Sequence, residues 1–451
     1  MDPATGLVPQ TSAFEEALVG LMREVSPARP AKPVRLTSHP LLAALRRAGT
    51  RHLYADTADP QELHEVLCAA EDEGSVTYYE EVDGNTTNQP LVEKVFDRLL
   101  GTEGPQAIRE WVRQLRQAHR ALTPEEATVA VYSVLNARLA AEVVGRFGAG
   151  RIWHISLELH TGLAADRAGS VRFGRCLGRS VAGALVKVAF TPHEPHAFLI
   201  ARDLERQGIA VNFTATFSAR QVVTAALLAN PHRTNIFLGR LNEGLRSQAL
   251  GEHVLLVAQR HIRDLRARYG LRTLNMGASV RRAETLVLTA GCDAYTIPAP
   301  VLRTFLSCKE AEIRDRTEED LSDAPGVELE VMDRVGGPDR LERLYRVEPE
   351  FVAFLLELRA DPELDRMDGD GLAERFERAG FVDLFYRPSP EEWRELRRSK
   401  LPDLNAPYVR RIPLDTLYSL LAFGDFANFQ DRMDVRIREV LEGSSANAGL
   451  V

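Results

Sequence analysis

The sequence predicts a (β/α)8 TIM barrel with an N-terminal extension and a C-terminal helical extension. Three observations carry the prediction. Short β-branched or aromatic runs recur between residues 38 and 310, each followed by a longer segment of helical period. These units stop at eight, and no GxGxxG follows the first run, which disfavours the competing doubly wound open sheet. Past residue 310 the texture changes to charged and amphipathic helical stretches without strand-like runs.

Taken in order, residues 1–37 form an extension in which "FEEALVGLMREV" makes one short helix and "SPARPAKPVR" a Pro-rich linker. The strand candidates of the barrel, residues 38–310, begin with "HLYADT" (52–57), "VTYYEEVDGNTT" (76–87), "RIWHISLEL" (151–159) and "ALVKVAFT" (184–191). They continue with "AVNFTATFS" (210–218), "TNIFLGR" (234–240), "LRTLNMGAS" (271–279) and "DAYTIPAP" (293–300). Between them, segments such as "DPQELHEVLCAAEDEG", "TPEEATVAVYSVLNARLAAEVVGRFG", "SARQVVTAALLANP" and "GEHVLLVAQRHIRDLRARYG" read as helices. Several open at Asp, Thr or Ser and close at Gly, as helix caps do. Residues 311–443 form the helical extension, and "SSANAGLV" (444–451) reads as a disordered tail. The aromatic-rich "LYSLLAFGDFANF" is expected to dock on the barrel; the alternative is a subunit contact, with a homodimer as the assembly to test.

Composition excludes several function classes. The 451 residues carry a net charge of −8, and the 56 Lys and Arg are scattered, so no nucleic-acid partner is expected. Four cysteines without CxxC or zinc-like spacing read as buried thiols of a reducing compartment. The first twenty residues lack the positive start and apolar block of a signal peptide, and no stretch reads as a membrane span. A cytoplasmic protein without a membrane partner is the expectation.

The chemistry concentrates at the strand ends, which in such a barrel face the active site. They offer Asp56; Asp83 with Asn85, Thr86, Thr87 and Asn88; Glu158; Lys187; Asn212 with Thr214 and Ser218; Asn235 with Arg240; and Ser279 with Arg281. Lys187 stands between Val186 and Val188 with no acidic neighbour in sequence before Glu194. An ammonium enclosed by apolar walls is disfavoured, so its pKa is expected to fall and the free amine to become nucleophilic. Such an amine condenses with a ketone to an iminium, an electron sink for cleavage of the neighbouring C–C bond. Two carboxylates, Asp56 and Glu158, are available for the proton transfers, and Arg281 with Ser279 for a phosphate.

Each of these residues has a plainer reading. A lone lysine in an apolar strand is usually a surface lysine laying its methylenes on hydrophobic neighbours. Asp56 could cap the next helix, although Asp59 suits that role better. Thr86, Thr87 and Asn88 read alone as turn residues. Ser279 could be an N-cap and Arg281 a helix-start cation, but a cation there opposes the helix dipole, which favours an anion site. His193 and His196 lie three apart without Asp or Cys partners, so no metal is expected and rim histidines are the better reading.

At these residues the sequence resembles the transaldolase family, Schiff-base barrel enzymes of the pentose phosphate pathway. "YADTADPQEL", "DGNTTNQPLVEK", "ISLEL", "LVKVAFT", "GIAVNFTATFSARQ", "FLGR", "MGASVR" and "LTAGCDAYTIPAPVL" are similar to family segments and occur in the family's order. The resemblance implies Lys187 as the Schiff-base residue and Asp56 as proton acceptor in C–C cleavage. It implies Glu158 as the acid/base, working through a water positioned by Thr214. Thr86 joins the substrate-binding set, Asn88 and Asn212 would hold the dihydroxyacetone hydroxyls, and Asn235 stands where the family has serine. Ser279 and Arg281 would bind the phosphate, with Arg240 supporting that end.

The implied activity is transfer of a dihydroxyacetone unit from a ketose phosphate to an aldose acceptor, with sugar phosphates as partners and no cofactor. Gln89-Pro90 replaces the family's Pro-Ser, Asn242 or Glu243 its Asp, and Arg282 its Asn. These departures bear on sugar specificity. The alternatives are a specialised relative in a biosynthetic pathway, a plain class I aldolase, and a non-catalytic scaffold, which the intact Lys–Asp–Glu set opposes.

Overall fold

The computed structural model describes residues 12–24, 32–148, 150–322 and 326–443. The expected tail at 444–451, and residues 1–11 and 25–31 of the expected extension and linker, lie outside them.

Eight parallel strands close into a barrel. They are β1 (His52–Asp56), β2 (Val82–Thr86), β3 (His154–Glu158), β4 (Ala184–Ala189), β5 (Val211–Thr214), β6 (Arg233–Phe237), β7 (Leu274–Ala278) and β8 (Ala294–Pro298). Each strand pairs with its successor, and β8 pairs with β1 to shut the ring. Helices between the strands cover the outer face, as the (β/α)8 reading requires.

The structure departs from the sequence reading at the second strand candidate. "VTYYEEVDGNTT" is two strands. Val76–Tyr79 joins Val34–Thr37 and Cys68–Glu71 in a separate three-stranded sheet, and only β2 enters the barrel. The expected linker therefore ends in a strand, and the helix expected over 59–74 stops at Leu67. Asp83 consequently starts its barrel strand. It accepts from Arg46 Nη2 at 2.6 Å and from Leu53 N at 2.9 Å, far from the rim where it was expected. Helices Gln89–Glu103, Pro105–Ala118 and Arg167–Gly178 add to those the sequence suggested. Cys308 is exposed and Cys68 half-buried, so only Cys176 and Cys292 are the buried thiols expected of all four.

Pro124–Phe147 corrects a further expectation. With its Thr123–Glu126 capping box, this 24-residue helix is long and apolar enough to cross a membrane. Its most apolar window is 83% buried inside the protein, so it is a core helix.

The barrel interior is polar. Arg233 is fully buried; its guanidinium lies 3.9 Å from the Tyr54 ring centroid and donates to Ser156 Oγ at 2.6 Å. Tyr54 Oη lies 3.3 Å from His154 Nδ1, and the rings of His52, His154 and His232 gather 5.6–6.5 Å apart at the bottom of the barrel. Burial, reinforced by Arg233, lowers His154 to about 4 and His232 to about 3.

A prediction follows from this shift. The unfolded chain takes up protons at these histidines near the ordinary value of 6.5, and the native protein resists them. Their contribution is therefore complete above 6.5 and is lost as the pH falls toward 4. Urea-unfolding midpoints should drop across that interval, and His232→Asn should flatten the drop. An unchanged pH slope in the variant would remove His232 from this account.

The C-terminal helices Leu329–Val335, Pro349–Ala360, Gly369–Arg378, Pro390–Leu396 and Leu414–Glu442 pack on the barrel. The last is docked over the ends of the strands. Ser419 Oγ donates to the carbonyl of Ala215 at 2.8 Å, Ser218 Oγ to Asp415 at 2.6 Å, and Asp434 lies 2.9 Å from His160 Nε2.

Candidate active site

Lys187 sits in the middle of β4, with side chains alternating in and out of the barrel. Its register partners are Glu158 on β3 and Asn212 on β5. The side chain is 3% exposed, and its amine donates to Glu158 Oε2 at 3.2 Å and to the carbonyl of Thr87 at 2.9 Å. Its walls are thus not wholly apolar as the sequence suggested, because the next strand supplies a carboxylate. The Phe426 ring of the C-terminal helix lies 5.8 Å away.

Asp56 ends β1 beside Thr86 of β2, whose hydroxyl donates to Asp56 Oδ1 at 2.7 Å. Thr86 also meets the Thr296 hydroxyl in a short contact. Burial raises the Asp56 carboxyl, opposed by the charge of Lys187. Burial likewise raises Glu158 to about 6, again opposed by Lys187. Glu158 Oε1 is buried with no partner. Both acids are thus moved toward the range in which a carboxyl exchanges protons near neutral pH.

A cavity of about 250 Å³ joins most of the expected residues: Asp56, Thr86, Asn88, Lys187, Asn235, Arg240, Ser279 and Arg281 all line it. Glu158 reaches it through Lys187. Asn212 and Thr214 do not line it. Both are fully buried, Asn212 donating to Ser156 Oγ at 3.1 Å and Thr214 accepting from Asn235 Nδ2 at 3.1 Å. Asn88 also caps the next helix, accepting from Leu91 N at 3.0 Å.

The two rim residues of β7 behave differently from their plainer readings. Ser279 is no N-cap: it has φ +61°, in the left-handed region, and its hydroxyl is buried without a partner. Such strain in a non-glycine residue gathers at functional sites. Arg281 precedes helix Glu284–Leu288 and lies outside its first turn, so the dipole argument for an anion there does not apply. Its claim rests on lining the cavity. Gly239 permits the close approach of this loop, since a Cβ there would stand 1.9 Å from the Ser279 carbonyl oxygen.

Sequence reasoning missed Lys94, Thr296, Lys400, Asp425, Phe426 and Phe429, which also line the cavity. The last four come from the C-terminal helical region, where nothing local distinguishes them from packing residues. It also missed that Arg240 donates to Asp425 Oδ2 at 2.8 Å. Asn85 points out of the barrel, accepting from the Trp153 indole at 3.0 Å. His193 packs on Trp393, ring centroids 4.4 Å apart. On the side sheet His64, Cys68 and Glu71 bring ligand-type atoms within 4.8 Å of one another, but Lys32 holds Glu71 at 2.9 Å and the Tyr78 hydroxyl meets His64 at 2.9 Å.

The chain is similar to known transaldolases. The family model described as Transaldolase/Fructose-6-phosphate aldolase matches residues 53–333. A transaldolase of Gloeobacter violaceus is 30% identical over 231 residues, 49% of this chain and 58% of that protein. One of Chromohalobacter salexigens is 28% identical over 281 residues, 58% of this chain and 82% of that protein. Transaldolase A of Escherichia coli is 28% identical over 194 residues, 40% of this chain and 59% of that protein. The matched stretch thus spans less than two thirds of the first and third of these relatives. Among solved structures, a 3-dehydroquinate dehydratase from Enterococcus faecalis is 12% identical with a TM-score of 0.28, covering 64% of this chain and 98% of that one, a likeness too low to argue from. With more than half of its 451 residues matched by the family model on a closed eight-stranded barrel, the chain belongs to the transaldolase/fructose-6-phosphate aldolase family.

Proposed function

We propose that the protein is a transaldolase that moves a dihydroxyacetone unit from a ketose phosphate to an aldose acceptor through a Schiff base on Lys187. The observation that carries this is an enclosed amine, Lys187 Nζ, 3.2 Å from Glu158 and sharing a cavity with Asp56. Glu158 takes a proton from the ammonium, and the amine adds to the ketone carbon to give a carbinolamine. Protonation of its hydroxyl by Glu158 expels water and leaves the iminium. Asp56 then accepts the proton of the hydroxyl on the far carbon of the bond to be broken, the carbon that becomes the aldehyde carbonyl. The C–C electron pair moves into the iminium, leaving an enamine on Lys187 and releasing an aldehyde. The acceptor aldehyde adds by the reverse path, and water frees the new ketose.

Incubation with fructose 6-phosphate followed by borohydride should place a mass adduct on Lys187, and an added aldose phosphate should make turnover proceed. No adduct with any of several ketose phosphates would sink the proposal. Adduct formation without acceptor-dependent turnover would leave only an aldolase. Glu158→Gln should lower kcat by about 10²–10⁴-fold, the usual worth of a positioned acid/base. The same change should erase the acidic limb of the rate profile near the Glu158 value of about 6. A limb that persists in the variant would assign it to another group.

A further inference from the structure

The cavity around Lys187 is closed by chain that the family model does not reach. Matching ends at residue 333, yet Lys400, Asp425, Phe426 and Phe429 line the site. Asp425 brings a carboxylate into the end of the cavity where the cations lie. It holds Arg240 Nη2 at 2.8 Å, with side chains only 9% and 18% exposed. The other guanidinium nitrogen, Nη1, is buried with no partner. The Phe426 ring, 5.7 Å from the guanidinium carbon, covers the pair. A phosphate brought to Arg240 would meet the Asp425 charge at close range in a site partly shielded from water, where like charges repel strongly.

Lys94 also lines this cavity, and two further cations lie toward its mouth. Arg281 and Lys400 line both this cavity and an adjoining one of about 480 Å³, and so stand at the passage between the two. The nearest carboxylate to Arg281 is Glu243 at 3.8 Å, with both side chains over 40% exposed. Such a pair is weak. Lys400 forms no ion pair among the described residues. The unpartnered Ser279 hydroxyl adds a hydrogen-bond donor beside them.

We propose that Lys400 and Asp425 determine anion recognition in this site: Asp425 occupies Arg240, and the phosphate of the sugar is received at the passage by Ser279, Arg281 and Lys400. The substrate class is a phosphorylated polyhydroxy ketone with its phosphate at that passage, and the proposal rests on reading the cavity as a sugar-phosphate site. The two C-terminal residues act in opposite senses. Lys400 attracts the phosphate, and Asp425 keeps it from settling on Arg240.

Glucitol 6-phosphate separates this from the Schiff-base chemistry, because it has a phosphate but no carbonyl. Calorimetric titration of the full chain should show binding. Lys400→Met should weaken it about tenfold, the worth of one charge-assisted hydrogen bond. Asp425→Asn should tighten it, because Arg240 then becomes a further phosphate donor. Unchanged affinity in Lys400→Met, or no binding by the unaltered protein, would overturn the proposal. So would Asp425→Asn weakening the affinity while lowering the thermal midpoint, which would make Asp425 a latch for the C-terminal helix. If the opposite effects appear but borohydride traps nothing on Lys187, anion recognition stands and the Schiff-base reading alone fails.

Discussion

Lys187→Met should abolish borohydride trapping and lower turnover by about 10⁴-fold or more, the scale expected when a covalent nucleophile is lost. Methionine fills the lysine's space along β4 but has no nitrogen to condense. Glu158 then loses the partner 3.2 Å away whose charge opposes the effect of burial. A carboxyl in that position rises further and takes up a proton instead of remaining an isolated buried charge. The protein should therefore stay folded, with a stability change of about 1–3 kcal/mol, the range for a buried polar group that loses its partner. Trapping at another lysine with retained turnover would show that the chemistry lies elsewhere. Unfolding would be seen as a collapsed near-ultraviolet dichroism spectrum, and Lys187→Arg, which keeps the charge beside Glu158 but forms no iminium, then provides the test.

Gly84→Ala should be nearly as damaging, through the fold. Gly84 on β2 is paired with Tyr54 on one side and His154 on the other. An added Cβ would stand 1.8 Å from the His154 carbonyl oxygen and 2.7 Å from its carbonyl carbon. These are backbone atoms of the neighbouring strand, so no rotamer change can relieve the overlap and the barrel must open between β2 and β3. Overpacking that backbone must absorb costs at least about 3 kcal/mol, the upper part of the usual range. The expected result is loss of soluble protein or a large fall in thermal midpoint. Gly20→Ala is the matched control: it lies in helix Ala13–Arg23 with nothing within 4 Å of the added carbon, and should stabilise by about 0.5–1 kcal/mol. A Gly84→Ala protein as stable as the parent would refute the close-packing account of the β2–β3 seam.

The barrel was legible because its strands carry local signals. Six of the runs begin within three residues of a glycine (Gly49, Gly150, Gly183, Gly208, Gly270 or Gly291) that closes the segment before them. The second run failed because Val76–Tyr79 has the same alternation as a barrel strand, and its true partner, Val34–Thr37, lies at the end of the Pro-rich stretch with β1 between them in the chain. Periodicity reports which faces are apolar; it does not say which sheet a strand joins.

The candidate site divides in the same way. Asp56, Thr86 and Glu158 end their strands, Ser279 and Arg281 follow one, and Lys187 points inward from within β4, so topology alone aims them at one rim. Asp425 reaches Arg240 from 185 residues away, and Phe426 reaches Lys187 over a still longer separation. Those contacts depend on how the C-terminal helices cross the barrel mouth, for which the sequence carries no local pattern. Asn212 stands level with Lys187 and Thr214 ends β5, but their side chains are taken up by Ser156 and Asn235 inside the barrel, which strand position alone does not foretell.

The buried Arg233 and the histidines below it bear on how the protein responds to temperature. A barrel filled with aliphatic side chains exposes apolar surface from its interior on unfolding, which raises the heat capacity. This one exposes a guanidinium, a phenol, imidazoles and amides from the same volume. Polar surface lowers the heat-capacity change, so the interior flattens the curve of stability against temperature and leaves the apolar layer between strands and helices to set its curvature.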